Sequence, residues 1–158
     1  SWSGLRYFLY EYELYLQDNA NMKVSWEDFN KRKKEDTIEH IYPQSPNDIY
    51  WKNRFGHLKP SEKRQYLNSL GNLLLLNRSK NSKLQNYDFD KKKCLLNKDG
   101  KEIGYYNGSY SEIEVSKHKE WTPDEIKKRG LLMLQFMEER WKFSFDNWNI
   151  SKEDILFP

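Results

Sequence analysis

The chain is poor in cysteine and contains no long apolar run, and each absence narrows its possible functions. Cys94 is the only cysteine among 158 residues, so an internal disulfide and a cysteine-rich zinc site are both ruled out. The hydrophobic stretches are much shorter than a membrane span, and the chain does not open with a basic segment followed by an apolar one. We therefore expect a cytoplasmic protein without a membrane partner and without structural zinc.

A strong excess of one charge sign is also missing. The chain carries 27 Lys and Arg against 24 Asp and Glu, a net charge of +3, which is too small to indicate nucleic-acid binding by itself. The basic residues nevertheless cluster at 31–34, 78–83, 91–93 and 127–129. Such a cluster is usually a solvated helix face. Only the cluster at 78–83 coincides with the motif described below.

Apolar and helix-capping residues predict one largely helical domain that spans residues 1–158. With 37% hydrophobic and 16% aromatic residues, the chain can bury a substantial core. Helical spacing of apolar residues between Leu5 and Leu16 predicts a first helix, and Ser25 is suited to cap a second one. Thr122 and Glu125 form a capping box around a proline, which predicts a long final helix.

Two short segments are typical of strands. Residues 37–41 are rich in β-branched side chains, and Pro43 stops the run because proline cannot donate to a strand ladder. Residues 72–77 contain four consecutive leucines between two asparagines, which indicates a buried strand. The fold class predicted from these segments and the helices is α+β, mainly helical.

Further helices and turns are predicted around these strands. A helix over 61–69 should end at Gly71, which is suited to a left-handed cap. Ser79 can cap a helix that continues through Leu84. Another helix is expected over 88–96, and the Asp-Gly pair at 99–100 indicates a tight turn.

The two strand segments carry the candidate catalytic residues. Glu39 and His40 lie at the end of the first segment and are followed by Pro43, while Asn72 opens the second segment and Asn81 follows nine positions later. In order and spacing this arrangement resembles the HNH endonucleases. The His-x-x-Pro feature is further similar to the C-terminal domain of GmrSD-type restriction enzymes, which cut modified phage DNA.

The resemblance implies a ββα-metal core over residues 37–84, interrupted by a helical insertion. It also implies a metal-dependent endonuclease, a phosphodiester hydrolase that cuts DNA in restriction and antiviral defence. In many HNH proteins paired cysteines hold zinc near the motif, and the matching places here are Asn77 and Lys80, so structural zinc is not expected. Because the chain starts without Met, we expect it to be the C-terminal part of a longer protein, whose missing N-terminal part would be an NTP-dependent sensor domain.

The resemblance also assigns roles. His40 would be the general base, since a neutral imidazole can accept a proton from water near neutral pH. Glu39 and Asn81 would bind one Mg²⁺ or Mn²⁺ through oxygen atoms. Asn72 would support catalysis by binding the backbone near His40. Adjacent residues of a regular strand face opposite sides, so a bend at the strand end is expected if Glu39 and His40 serve one phosphate.

The cluster at 78–83 is the predicted DNA-binding surface. Arg78, Lys80 and Lys83 lie on or beside the helix that carries Asn81, where they could bind phosphates without reading base sequence. Asn77 is interpreted as a helix cap rather than as a ligand.

Alternative interpretations exist for the same residues. A Glu-His pair can be an accident of a solvated strand, and asparagines in a basic stretch often mark turns and caps. The domain could accordingly be a catalytically inactive nucleic-acid-binding module of the same fold. Exposed aromatic residues such as Trp51, Trp121 and Trp148 would favour a protein-interaction domain, although the same residues could equally be half-buried core.

Overall fold

The computed structural model describes residues 2–18 and 25–158. Within these ranges the chain forms nine α-helices and two small antiparallel sheets, which confirms the predicted α+β, mainly helical class. In chain order the elements are α1 (Leu5–Leu16), α2 (Trp26–Glu35), β1 (Asp36–His40), α3 (Ile49–Phe55), α4 (Pro60–Asn68), β2 (Leu73–Asn77), α5 (Arg78–Leu84), α6 (Phe89–Lys93), β3 (Leu95–Leu96), β4 (Glu102–Ile103), α7 (Tyr110–Ser116), α8 (Pro123–Trp141) and α9 (Lys152–Leu156), with 3₁₀ helices at Leu70–Asn72, Tyr105–Asn107 and Asp146–Trp148.

The hairpin of β1 and β2 lies at the centre of the fold. The two strands pair in antiparallel register from Asp36 opposite Asn77 to His40 opposite Leu73. Apolar residues cover both faces of the hairpin, which explains why β2 is a continuous leucine run rather than an alternating pattern. Leu74 and Leu76 enter one core cluster, and Leu75 packs against another.

The segment between β1 and β2 is helical, as predicted, but its last helix does not end in the predicted left-handed cap. Helix α4 begins with Pro60 in its first turn and ends at Asn68, and a short 3₁₀ helix follows. The prediction of a left-handed cap at Gly71 was wrong, because Gly71 belongs to this 3₁₀ helix. The glycine is required there for space, since a Cβ atom would lie 1.9 Å from the carbonyl oxygen of Ile126.

Local capping signals explain most helix starts. Ser25 accepts a hydrogen bond from the Asp28 amide, and Thr122 forms the predicted capping box with Glu125. Helix α5 begins at Arg78, two residues earlier than a cap at Ser79 predicts. Asn77 caps it by accepting from the Ser79 amide, which confirms the interpretation of Asn77 and shows that Ser79 is not the cap.

The helix predicted over 88–96 is shorter than expected. Helix α6 stops at Lys93, and Leu95–Leu96 instead pair with Glu102–Ile103. The turn between these strands contains Gly100 at φ 74°, as the Asp-Gly pair predicted.

The hydrophobic core lies on both sides of the hairpin. One cluster joins the hairpin to α3, α6 and the start of α8, and it includes Trp51 and Trp121, both fully buried. A second cluster joins α1 to the middle of α8 through Phe8, Tyr12 and Phe136. Of the three tryptophans that could be either surface or core residues, only Trp148 is exposed. In the part of the chain that the structure describes, no helix is long and apolar enough to cross a membrane.

Candidate active site

Glu39 lies on the side of β1 that packs toward α5 and α6. Its side chain is only 3% exposed, and its Oε1 atom accepts hydrogen bonds from the Lys92 ammonium at 2.7 Å and the Tyr105 hydroxyl at 2.8 Å. Burial raises the pKa of the Glu39 carboxyl, while the Lys92 ammonium and the Tyr105 hydroxyl act in the opposite direction. The strand thus presents a carboxylate with a fixed orientation and a buried counter-ion.

Lys92 is a candidate site residue that the sequence reasoning missed. The pattern at 91–93 predicts a solvated face, but Lys92 is fully buried and its Nζ atom also donates to the carbonyl oxygen of His40 at 3.0 Å. Burial lowers the pKa of the Lys92 ammonium, against the opposing effect of Glu39. Helical spacing offered a signal, because Lys92 lies three positions after the buried Phe89 and therefore on the same side of α6.

His40 faces the other side of β1. Its ring borders a pocket of about 650 Å³ whose walls are mainly apolar. The lining residues are Trp2, Leu5, Ile38, His40, Asn68, Leu70, Leu73, Leu134, Met137, Phe145 and Ile155. Burial lowers the pKa of the His40 imidazole and the Lys92 ammonium lowers it further, whereas a hydrogen bond with Asn68 acts to raise it. The imidazole is therefore mainly neutral at neutral pH.

Asn81 lies on the same side of the hairpin as Glu39. Its Nδ2 atom donates to the Thr37 hydroxyl at 2.8 Å, and Thr37 and Glu39 share one face of β1 because they are two positions apart. The structure thus brings the two predicted metal ligands to one face and places the predicted base on the other. Strand β1 keeps its regular pairing through His40, and the backbone bends immediately after it, at residues 41–42.

Asn72 fixes the chain just beyond His40, as predicted. Its side chain is fully buried, accepts from the Tyr42 amide at 2.7 Å and donates to the Tyr42 carbonyl at 3.0 Å. The same amide group also donates to the Leu67 carbonyl and accepts from the Trp121 indole. Asn72 therefore joins the segment after β1 to the helical insertion and to the start of α8.

The three predicted DNA-binding residues have different surroundings. Arg78 and Lys83 are exposed at the two ends of α5. Lys80 instead points inward, where its ammonium pairs with Glu112 at 2.5 Å and donates to the Gly104 carbonyl at 2.7 Å. Arg78 and Lys83 are thus available to a polyanion, while the ammonium of Lys80 already has internal partners.

The Glu39 face carries one carboxylate and one side-chain amide. Within residues 2–18 and 25–158, no group of three or more His, Cys, Asp and Glu side chains could hold a metal ion. A site here must therefore combine the Glu39 carboxylate with an amide oxygen. Because Asn81 directs its Nδ2 atom at Thr37, its Oδ1 atom points away from that residue. A carboxylate and an amide oxygen are donors that Mg²⁺ and Mn²⁺ accept, with water completing the shell.

Comparison with known protein families gives one match. The model of the family described as GmrSD restriction endonucleases, C-terminal domain, matches residues 1–136. No curated protein and no solved structure gives a match. The matched range contains the hairpin, α5 and α6, and so it includes all the candidate site residues described above.

Proposed function

The chain belongs to the family of C-terminal domains of GmrSD restriction endonucleases, and we propose that it is a metal-dependent nuclease domain of the HNH type that hydrolyses DNA in antiviral defence. The observation that carries this proposal is the unit formed by β1, β2 and α5. It combines Glu39 and His40 at the end of one strand with Asn81 on the helix that packs against that strand.

His40 is proposed as the general base. Hydrolysis of a phosphodiester requires a water that loses its proton as it attacks phosphorus, and a neutral imidazole can take that proton. The buried surroundings of His40 keep its imidazole in this neutral form. The open pocket beside the ring gives water a route to it.

Glu39 and Asn81 are proposed to hold one Mg²⁺ or Mn²⁺. When bound, the ion would supply positive charge to stabilise the negative charge that develops on the phosphate and the leaving oxygen. Glu39 would contribute a carboxylate oxygen, and Asn81 would contribute its amide oxygen. Asn72 would support both by holding the backbone at Tyr42, immediately beyond the strand.

The opposite orientations of Glu39 and His40 constrain where the phosphate can lie. A phosphate above either face of β1 would meet only one of these side chains. We therefore place it beyond the end of β1, where side chains from the two faces can converge. The chain bends just beyond His40, at residues 41–42, where the Asn72 side chain holds Tyr42.

Exposed charges on α5 suit a nucleic-acid backbone. Arg78 and Lys83 lie on the helix that carries Asn81, and a shallow depression of about 400 Å³ beside this helix is lined by Lys80, Lys83 and Lys101, among others. Such charges bind phosphates whatever the base sequence. Lys80 would also hold α5 to Glu112, because its ammonium pairs with that carboxylate.

A plasmid-cleavage assay tests the proposed function. The wild-type chain is incubated with supercoiled DNA and Mg²⁺ or Mn²⁺, and a parallel reaction contains a chelator. We expect cleavage only with metal, its loss in His40→Ala, and an unchanged rate in His57→Ala, a control histidine that is exposed on the surface. DNA binding without cleavage by the wild-type chain would instead support the inactive binding module.

A further inference from the structure

The carboxylate of Glu39 is held by two donors that both bind the same oxygen atom. The Lys92 ammonium and the Tyr105 hydroxyl reach Oε1 at 2.7 Å and 2.8 Å. Both donor side chains are fully buried. Two donors on one oxygen hold the carboxylate in one orientation, in which Oε2 takes part in neither of these two bonds.

Lys92 connects this carboxylate to the neighbouring candidate base. The same ammonium that binds Glu39 donates to the His40 carbonyl oxygen at 3.0 Å. One buried group therefore restrains the Glu39 side chain and the backbone of His40 at the same time. The bond reaches the main chain of His40 and not its ring, so it holds the backbone at the point where the strand ends.

Stability alone does not account for such a pair. The desolvation energy of a buried ammonium and carboxylate offsets much of their electrostatic attraction. Apolar residues of similar volume therefore often stabilise a core equally well. The rest of the surrounding cluster is apolar and aromatic, with Phe89, Trp121 and Leu74 all fully buried. A buried charged pair in these surroundings is explained better by the need to keep Glu39 ionised and oriented.

We propose that Lys92 and Tyr105 are positioning residues, which hold Oε1 of Glu39 so that Oε2 is presented to the divalent ion. This inference rests on the proposed function, because it requires the metal site at Glu39 and Asn81. Lys92 supplies the counter-charge that lets the carboxylate remain ionised in an apolar environment. Tyr105 supplies a second, neutral bond that sets its direction.

The first test replaces Tyr105, because Tyr105→Phe removes one hydroxyl and leaves the charges unchanged. Mn²⁺ binding to the full chain is measured by titration calorimetry and by the loss of the free Mn²⁺ signal in paramagnetic resonance. We expect the dissociation constant to rise about 10-fold or more, as is typical when a group that orients a metal ligand is lost. Tyr106→Phe is the matched control, because Tyr106 is the exposed neighbour, and it should bind Mn²⁺ like the wild type.

A second pair of variants tests the ammonium. Lys92→Met preserves the length of the side chain, and Lys91→Met removes the same charge from an exposed position on the same helix. Removing a cation near the ion would by itself favour Mn²⁺ binding. A weaker affinity in Lys92→Met than in Lys91→Met therefore supports the positioning role, and an affinity equal to or higher than that of Lys91→Met overturns it for Lys92.

The remaining measurements separate the inference from the proposed function. Cleavage by Tyr105→Phe should return toward the wild-type rate at saturating Mn²⁺, whereas a general loss of structure would not be rescued in this way. Equal Mn²⁺ affinity in Tyr105→Phe and Tyr106→Phe overturns the role of Tyr105 while the metal site stands. If the wild type binds no Mn²⁺, or if Glu39→Gln binds it like the wild type, the proposed metal site fails and the inference fails with it.

Discussion

Glu39 and His40 are neighbours in sequence that have very different surroundings. Glu39 is enclosed by Lys92 and Tyr105, while His40 borders an open, mainly apolar pocket and contacts Asn68. The difference follows from the alternation of side chains along a strand. It means that the proposed metal ligand and the proposed base can be altered separately by mutation.

The first prediction uses this separation. His40→Ala should reduce cleavage about a hundredfold to ten-thousandfold, because it removes the general base, while Mn²⁺ affinity remains that of the wild type. Asn81→Ala should instead raise the Mn²⁺ concentration needed for half-maximal cleavage, because it removes an oxygen ligand. Asn86→Ala, at an exposed position, serves as the control. An unchanged Mn²⁺ requirement in Asn81→Ala would place the metal site elsewhere.

The second prediction concerns Asn72, whose side chain has four buried hydrogen-bond partners. Asn72→Ala leaves these groups unpaired. Each unsatisfied buried group lowers the free energy of unfolding by about 1–3 kcal/mol, and the separate losses do not add fully. We expect a loss of at least about 3 kcal/mol in the free energy of unfolding. Denaturant unfolding measures it, with Asn53→Ala on the exposed side of α3 as control. A loss similar to that of the control would show that Asn72 does not hold the fold.

Sequence patterns predicted the elements whose signals are local. The capping residues Ser25 and Thr122 predict the starts of α2 and α8. The four leucines at 73–76 form a strand because other elements cover both faces of the hairpin. Contacts between residues far apart in sequence determine the features that local patterns did not predict. Lys92 is buried because Glu39, 53 positions earlier, needs a partner, and no feature within 91–93 indicates that ion pair. The left-handed cap expected at Gly71 was wrong because the approach of Ile126, far along the chain, fixes that glycine.

Helix α5 connects the proposed metal site to the proposed DNA surface. The helix carries Asn81 toward the hairpin and leaves Arg78 and Lys83 exposed. Lys80 holds the same helix to Glu112 at the start of α7. A phosphate bound by the exposed pair would therefore lie at a fixed distance from Asn81, because helix, hairpin and α7 are joined by these contacts.

The third prediction tests this arrangement through salt dependence. In a His40→Ala background, where no cleavage interferes, Arg78→Ala/Lys83→Ala should lower the slope of log affinity against log salt by roughly two units. The losses should be similar on unrelated DNA sequences, because phosphate contacts do not read bases. Fluorescence anisotropy measures the affinity. Lys33→Ala/Lys34→Ala on α2 is the control, since both lysines are exposed there. A slope change in the control alone would move the DNA surface to α2.

On the scale of the whole molecule, α8 is the element that fixes the hairpin within the fold. Arg129 of α8 is almost fully buried and donates to the carbonyl oxygens of Gly71 and Leu73, where β2 begins. It also pairs with Glu114 of α7 at 2.9 Å. The 3₁₀ helix and α8 approach so closely that their backbones touch at Gly71 and Gly130. The position of β2, and with it the proposed metal site, therefore depends on this contact between main chains.

The last prediction is that Gly71→Ala destabilises the whole molecule through this contact. The added methyl group would lie 1.9 Å from the Ile126 carbonyl oxygen and 2.7 Å from the Gly130 nitrogen, and both are backbone atoms that cannot rotate away. Overpacking of this kind costs about 1–3 kcal/mol, and the upper end is expected here because α8 as a whole must move. For a chain of this size that corresponds to a fall of roughly 6–12 °C in the melting temperature.

Gly100→Ala provides the comparison that isolates packing from backbone conformation. Gly100 has φ 74°, and no atom lies within 4 Å of the position that an added methyl group would take, so its substitution should cost only about 1 kcal/mol for the left-handed conformation. Thermal unfolding of both variants, followed by circular dichroism, measures the difference. Since the close approach at Gly71 adds a steric cost that Gly100 lacks, equal melting temperatures would mean that α8 can separate from the 3₁₀ helix freely. The position of the hairpin would then have to be fixed by its apolar faces alone.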